Sequence, residues 1–212
     1  MPALSLSLLG PCSVKLDGRP LSSFRTKSVQ ALLFYLTCQP ENSHQREHLM
    51  TLLWPGLPQQ SAQANFRQTL YLLRKAIPEL PAKNGEGLVP FLLIDRQAVQ
   101  VNPSGKYWLD VLTFKALLAG PHERWSEAAA LYRGDFLADF YLPASATYEA
   151  WVLAQREELR RRVLETLKAL AANELSQNNT QAAEGYARRQ IEIDSLQESA
   201  HRQLMEALAR SG

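Results

Sequence analysis

Apolar and polar positions alternate in two different ways along this chain, and the change between them divides it. Leu4 to Leu9 and Ser13 to Leu16 are short apolar-rich runs separated by Gly10-Pro11, and Asp17-Gly18 closes the second with a turn signal. From Arg25 to Cys38, residues Val29, Leu32, Leu33 and Leu36 recur at helical spacing. Gln39-Pro40 stops this helix, because the residue before a proline is pushed out of the α region. Ser43 is placed to cap a short helix through Leu53 with Leu49, Leu52 and Leu53 inward. Trp54-Pro55-Gly56-Leu57-Pro58 is a rigid connector into Ser61–Ile77, where Ala62, Phe66, Leu70, Leu73 and Ile77 fall on one side of a helical wheel. Phe91 to Ile94 and Val99 to Asn102 bracket Asp95-Arg96-Gln97-Ala98, a hairpin pattern. The order β-hairpin, three helices, β-hairpin predicts a winged helix-turn-helix.

Asn102-Pro103-Ser104-Gly105 marks the expected boundary, giving domains at 1–105 and 106–212; a chain ending near Asn102 is expected to fold alone. Beyond it strand signals end and helical spacing takes over. Asp110 is expected to cap a helix with Phe114, Leu117 and Leu118 inward, stopped by Gly120-Pro121. A second helix spans about 123–132. A long one spans about 146–177, with Tyr148, Val152, Leu159, Val163, Leu167 and Leu170 along one side. Asn178-Asn179 breaks it. Thr180 then caps a helix to about Ile193, and Leu196 to Ala209 forms the last. Leu170 and Leu204 stand 34 residues apart, the tetratricopeptide period, with Ala183 at the small position where paired helices cross. The fold class expected is α+β: a winged helix followed by an all-α, tetratricopeptide-like part. The final helix lacks a partner for its apolar side, which suggests an N-terminal piece of a longer regulator.

Charge gives the third helix of the first part its interest. Opposite its apolar side stand Ala64, Gln68, Tyr71 and Lys75, flanked by Ser61, Asn65, Arg67 and Arg74, with no acid among them. Amides and hydroxyls there can reach base edges while cations meet phosphates. An ordinary amphipathic surface helix fits the same pattern. The chain's net +2 conceals an asymmetry: ten Lys/Arg face six Asp/Glu up to Gly105, and thirteen face fifteen after it. A modest basic excess thus sits with this helix, weak support for a nucleic-acid partner. Arg160-Arg161-Arg162 is a second basic run, but Glu157 and Glu158 stand four residues before Arg161 and Arg162, the favourable order for helical ion pairs on a solvated face.

Hydrophobic content of 46% with 21% charged residues suits a globular chain. Cys12 and Cys38 form no disulfide framework and read as reduced thiols of a cytoplasmic protein, although pairing between them stays open. Neither a membrane span nor a signal peptide is expected. No phosphate-binding, dinucleotide or nucleophile-elbow glycine motif occurs, so no enzyme, catalytic residue or cofactor is expected. His44 and His48 lie four apart without an evident third ligand, so no metal is expected. Asp135 and Asp139 read as caps or surface charges, and Trp125 and Trp151 as core.

L-L-G-P-C-S-V-K-L-D-G-R-P at Leu8–Pro20, L-L-F-Y-L near Leu32, H-L-M-T-L-L-W-P at His48–Pro55 and N-F-R-Q-T-L-Y-L-L-R-K-A-I at Asn65–Ile77 resemble the OmpR-type winged helix that opens the antibiotic-regulatory-protein (SARP/AfsR-like) transcriptional activators. L-Y-R-G-D-F-L at Leu131–Leu137 and R-R-Q-I-E-I-D at Arg188–Asp194 are similar to the bacterial transcriptional activation domain of the same proteins. The resemblance implies a sequence-specific DNA-binding activator whose third helix enters the major groove of double-stranded DNA. Gln68 with Asn65 would read adenine and Arg67 guanine. Ser61, Thr69, Arg74 and Lys75 would hold phosphates, with Arg96 and Gln97 at the wing tip. Ala64 and Tyr71 share that face. The resemblance also implies head-to-tail pairs on direct repeats, a homodimer on DNA, and contact with RNA polymerase. Trp54, Pro55, Gly56 and Leu57 correspond to the transactivation loop, in which Trp54 either makes the contact or anchors the loop. Leu72 stands where relatives commonly carry a basic residue, which puts one base contact in doubt. The competing expectation is a protein-interaction module whose winged helix does not read DNA.

Overall fold

A computed structural model describes residues 3–21 and 24–211; Met1 and Gly212, the outer limits of the two expected domains, lie outside them. The chain divides into two compact units, Met1–Leu112 with Leu137–Leu153, and Thr113–Phe136 with Ala154–Gly212.

The first unit opens with β1 (Leu4–Ser7), β2 (Ser13–Leu16) and β3 (Arg19–Pro20). Leu4 and Leu6 are buried while Ser5 and Ser7 are half-buried, the period of two expected of a strand with one face inward. Asp17 and Gly18 both take positive φ, 52° and 78°, making the two-residue turn whose twist matches an antiparallel hairpin. Helix α1 (Lys27–Cys38) follows; all eight residues from Ala31 to Cys38 are buried. Strand β4 (His44–Gln45) leads into α2 (Arg46–Leu53), and α3 (Gln59–Ala76) comes next. Strands β5 (Glu79–Pro81), β6 (Leu88–Pro90), β7 (Leu92–Ile94), β8 (Ala98–Val101) and β9 (Tyr107–Leu109) complete this part, with α4 (Asp110–Leu118) at its end.

Three expectations are corrected here. Ser43 does not cap α2. His44 and Gln45 are extended because they pair with Val99 and Ala98, so the helix starts at Arg46, whose N–H donates to the Gln97 carbonyl at 2.8 Å. Pro78, Pro81 and Pro90 conceal a short β5–β6 hairpin in which prolines occupy a two-stranded edge. Strand signals also continue past Gly105: β9 pairs in parallel with β1, Leu4 opposite Tyr107 and Leu6 opposite Leu109, in a sheet of order β3-β2-β1-β9.

Asp110 fixes that junction. Its buried carboxylate accepts the N–H groups of Leu8 at 2.8 Å, Leu9 at 3.0 Å and Val111 at 2.9 Å, donors that would otherwise be orphaned inside the unit. Residues 137–153 add a second set of ties. Leu137 N–H donates to the Leu8 carbonyl, Cys12 N–H to Asp139, and Ser145 Oγ to the Leu52 carbonyl at 2.6 Å. Tyr148 and Phe140 bury their rings, and Trp151 sets its ring 5.0 Å from that of Tyr35. A chain ending near Asn102 would lack β9, Asp110 and this segment, so the expectation that it folds alone is withdrawn.

In the second unit a 3-10 turn, His122–Arg124, precedes α5 (Trp125–Leu131), and the Trp125 ring lies half-buried 3.9 Å from the His122 ring. Helix α6 (Ala146–Ser176) gives this unit Leu159, Val163, Leu167, Ala171 and Leu175 as core; Leu170 is only half-buried. Asn178 ends it in the left-handed region at φ 59°. Helices α7 (Thr180–Ile193) and α8 (Glu198–Ser211) then pack through Ala183, Ala187, Ala200 and Ala207. Small residues let the two backbones approach, and the buried Gln190–Gln203 hydrogen bond (3.1 Å) fixes their register. Thr180 begins α7, with Asn179 at the capping position.

Candidate nucleic-acid interface

Helix α3 has 18 residues, and its core stripe is Ala62, Phe66, Thr69, Leu70 and Leu73. Ser61, Ala64, Asn65, Arg67, Gln68, Tyr71, Arg74 and Lys75 are exposed together on the other side. Thr69 leaves the expected group. It stands three residues after Phe66 and four before Leu73, on the inward stripe, and is 4% exposed. Arg74 and Lys75 occupy the last turn, where the carbonyl end of the helix favours cations. None of Arg67, Arg74 and Lys75 makes an ion pair among the described residues.

The wing is held by Asp95, whose Oδ1 accepts the N–H groups of Gln97 (2.6 Å) and Ala98 (2.7 Å). Those bonds lower the carboxyl pKa and leave Arg96 and Gln97 exposed at the tip. Tip, α2 and α3 enclose a cavity of about 520 Å³ lined by Arg46, Arg67 and Arg96 with Gln63, Gln97, Glu47 and Phe66 among others. Arg46 was not among the expected residues. Its Nε is buried with no hydrogen-bond partner, so an unsatisfied donor stands beside two exposed guanidiniums. The one sequence signal was its place at the start of the second helix. Arg74, Lys75 and Tyr71 line a separate groove with Glu79 and Pro90. Leu72 is half-buried in another groove, where Arg25 and Lys75 join Phe24 and Val29 in the lining, so cations stand beside that position although Leu72 supplies none.

Trp54 follows α2 and donates its N–H to the Met50 carbonyl at 2.8 Å. Its half-buried ring shares a groove of about 310 Å³ with Pro55 and Leu57; Gly56 is exposed and outside that lining. Both histidines meet Tyr35. His44 is buried against Tyr35, with its pKa lowered chiefly by desolvation, and His48 Nε2 lies 2.9 Å from Tyr35 Oη. No group of three His, Cys, Asp or Glu suited to a metal occurs among the described residues. Within the described residues no helix is long and apolar enough to cross a membrane. Cys12 and Cys38 form no disulfide.

On α6, Arg161 pairs with Glu158 at 2.7 Å and Glu165 at 3.0 Å, and Arg162 with Glu158 at 2.5 Å. Of the two expected pairs, Glu158–Arg162 forms. Arg160 departs from the run and donates to the Ile193 carbonyl.

Residues 115–212 match the family described as the bacterial transcriptional activator domain. No curated protein matches the chain. Among solved structures, EmbR of Mycobacterium tuberculosis, determined in complex with a low-affinity phosphopeptide, is similar over 100% of this chain with a TM-score of 0.70 and 22% identity. At that identity the likeness is one of fold, and this chain spans 56% of the length of that one. The family match thus falls on the second part of the chain, and the likeness of fold extends over all of it.

Proposed function

We propose that the chain binds specific double-stranded DNA sites through α3 and activates transcription. The observation that carries this is the acid-free exposed face of α3, whose cations make no ion pair among the described residues, beside the cavity bearing Arg46 and Arg96. Gln68 and Asn65 pair with adenine N6 and N7, and Arg67 with guanine O6 and N7. Ser61, Arg74, Lys75 and Arg46 hold phosphates, while Arg96 and Gln97 meet the backbone or the adjacent minor groove. Thr69, being buried, is given no contact. Residues 1–105 supply the DNA-reading part and 106–212 a tetratricopeptide-like part that pairs protomers head to tail on direct repeats. Trp54 to Leu57 touch RNA polymerase, and the protein works in the cytoplasm.

Selection of bound sites from a random DNA pool with the whole chain tests this and reports repeat spacing. On the selected site, log K should fall with log[salt] at a slope of roughly −4 to −5, as expected for four to six neutralised phosphates. No enrichment, or a flat salt response, would favour a protein-interaction module whose winged helix does not read DNA.

A further inference from the structure

Leu72 brings no charge to α3, but the groove in which it stands holds two cations. This groove, of about 300 Å³, lies between the segment entering α1 and the C-terminal half of α3. Phe24, Arg25 and Val29 line it from the first side, and Tyr71, Leu72 and Lys75 from the second. Among the described residues its lining contains no carboxylate; Glu79 lines the neighbouring groove with Lys75 and is absent from this one. Neither Arg25 nor Lys75 makes an ion pair among the described residues. Lys27, two residues after Arg25, is engaged elsewhere, its ammonium donating to the Tyr141 carbonyl at 3.0 Å. The cation that this segment gives to the groove is therefore Arg25, which is exposed.

The place of the groove on α3 decides what it faces. Tyr71 and Lys75 also belong to the exposed, acid-free set of α3, so groove and face are continuous. Gln63, Phe66 and Arg67 line the cavity that carries Arg46 and Arg96. At about 100° per residue those three fall on one flank of the exposed set, and Leu72 with Ala76 on the other. A helix seated in a major groove has a phosphate backbone along each flank, and contacts to those phosphates fix its register. A guanidinium fork matches phosphate oxygens. We propose that Arg25 is a further DNA-binding residue, which with Lys75 holds a backbone phosphate of one strand while Arg46 holds the other strand. This rests on the DNA-binding reading of α3. It supplies the flank where Leu72 stands with a cation from a segment remote in sequence, which no local period could reveal.

The test measures fluorescence anisotropy of the 212-residue chain on the selected duplex and on a random one across a range of salt. Arg25→Ala should weaken both about tenfold and reduce the salt slope by about one, because a phosphate contact carries no sequence preference. Arg25→Lys should keep the slope. Duplexes with one uncharged methylphosphonate linkage at successive positions then locate the contact. One such linkage should weaken the parent chain and leave Arg25→Ala unaffected. If the alanine variant does not fold, Arg25→Gln, which keeps a polar stem, decides in its place. A parent chain that binds neither duplex overturns this inference and the DNA-binding reading together. A parent that binds while Arg25→Ala keeps its affinity and slope overturns this inference alone. So does a loss confined to the selected duplex with an unchanged slope, or the failure of Arg25→Ala to mask any single linkage.

Discussion

The cations of α3 and those of α6 stand in opposite surroundings. Arg67, Arg74 and Lys75 are exposed on a face without acids, whereas Arg161 and Arg162 are bound to Glu158 and Glu165 on their own helix. Both helices read as basic runs. What separates them is the acid three or four residues away, which neutralises one run locally and is missing from the other. An uncompensated face gains by meeting a polyanion and releasing its counter-ions; a compensated one would have to break ion pairs to do so. The difference teaches that the placement of carboxylates, more than the number of arginines, separates a candidate nucleic-acid surface from a solvated one.

Replacing Arg67, Arg74 and Lys75 together by alanine gives the largest contrast. DNA affinity should fall on the order of 10³-fold or more, while Arg161→Ala with Arg162→Ala should change it less than about twofold. Fluorescence anisotropy on one duplex measures both, and equal losses would erase the distinction between the helices. Single changes then sharpen it within α3. Arg67→Ala should cost about 1–3 kcal/mol on the selected site and little on random DNA, and Lys75→Ala should weaken both alike and reduce the salt slope by about one. Identical behaviour of the two variants would show that the helix is docked differently.

Smaller effects concern stability and run the other way. Glu158→Ala removes the acid shared by Arg161 and Arg162 and should cost about 0.5–1 kcal/mol in urea unfolding, a loss that shrinks in high salt. Lys75→Ala has no ion pair to lose and should leave the urea midpoint in place. Smallest of all is an effect of pH in the winged helix. Burial lowers the pKa of His44, so the unfolded chain takes up its proton first. Its contribution to stability is complete above the ordinary histidine pKa and is lost as pH falls through the lower value of the folded state. His44→Gln should flatten that part of the stability–pH curve, and an unchanged curve would assign the acid sensitivity elsewhere.

The alternation of β1, the apolar stripes of α1 and α3, the chain breaks at Pro40 and Asn178, and the spans of α6 and α7 were all legible in the sequence. Each is set by a period or a stop signal contained within a few residues. The outward set of α3 was legible for the same reason, apart from Thr69, which shares the inward stripe with Phe66 and Leu73. What only the tertiary structure decided depends on partners remote in sequence. His44 and Gln45 are a strand because β8 lies beside them. Tyr107–Leu109 is a strand because β1 offers an open edge, and Asp110 is buried because it satisfies the N–H groups of Leu8 and Leu9 about a hundred residues away. Arg46 joined the candidate interface, and Arg160 left the surface run, through carbonyls and cavities that no local period encodes. Local propensity and patterning act over one or two turns of chain, whereas hydrogen-bond satisfaction and burial are settled only when distant segments meet.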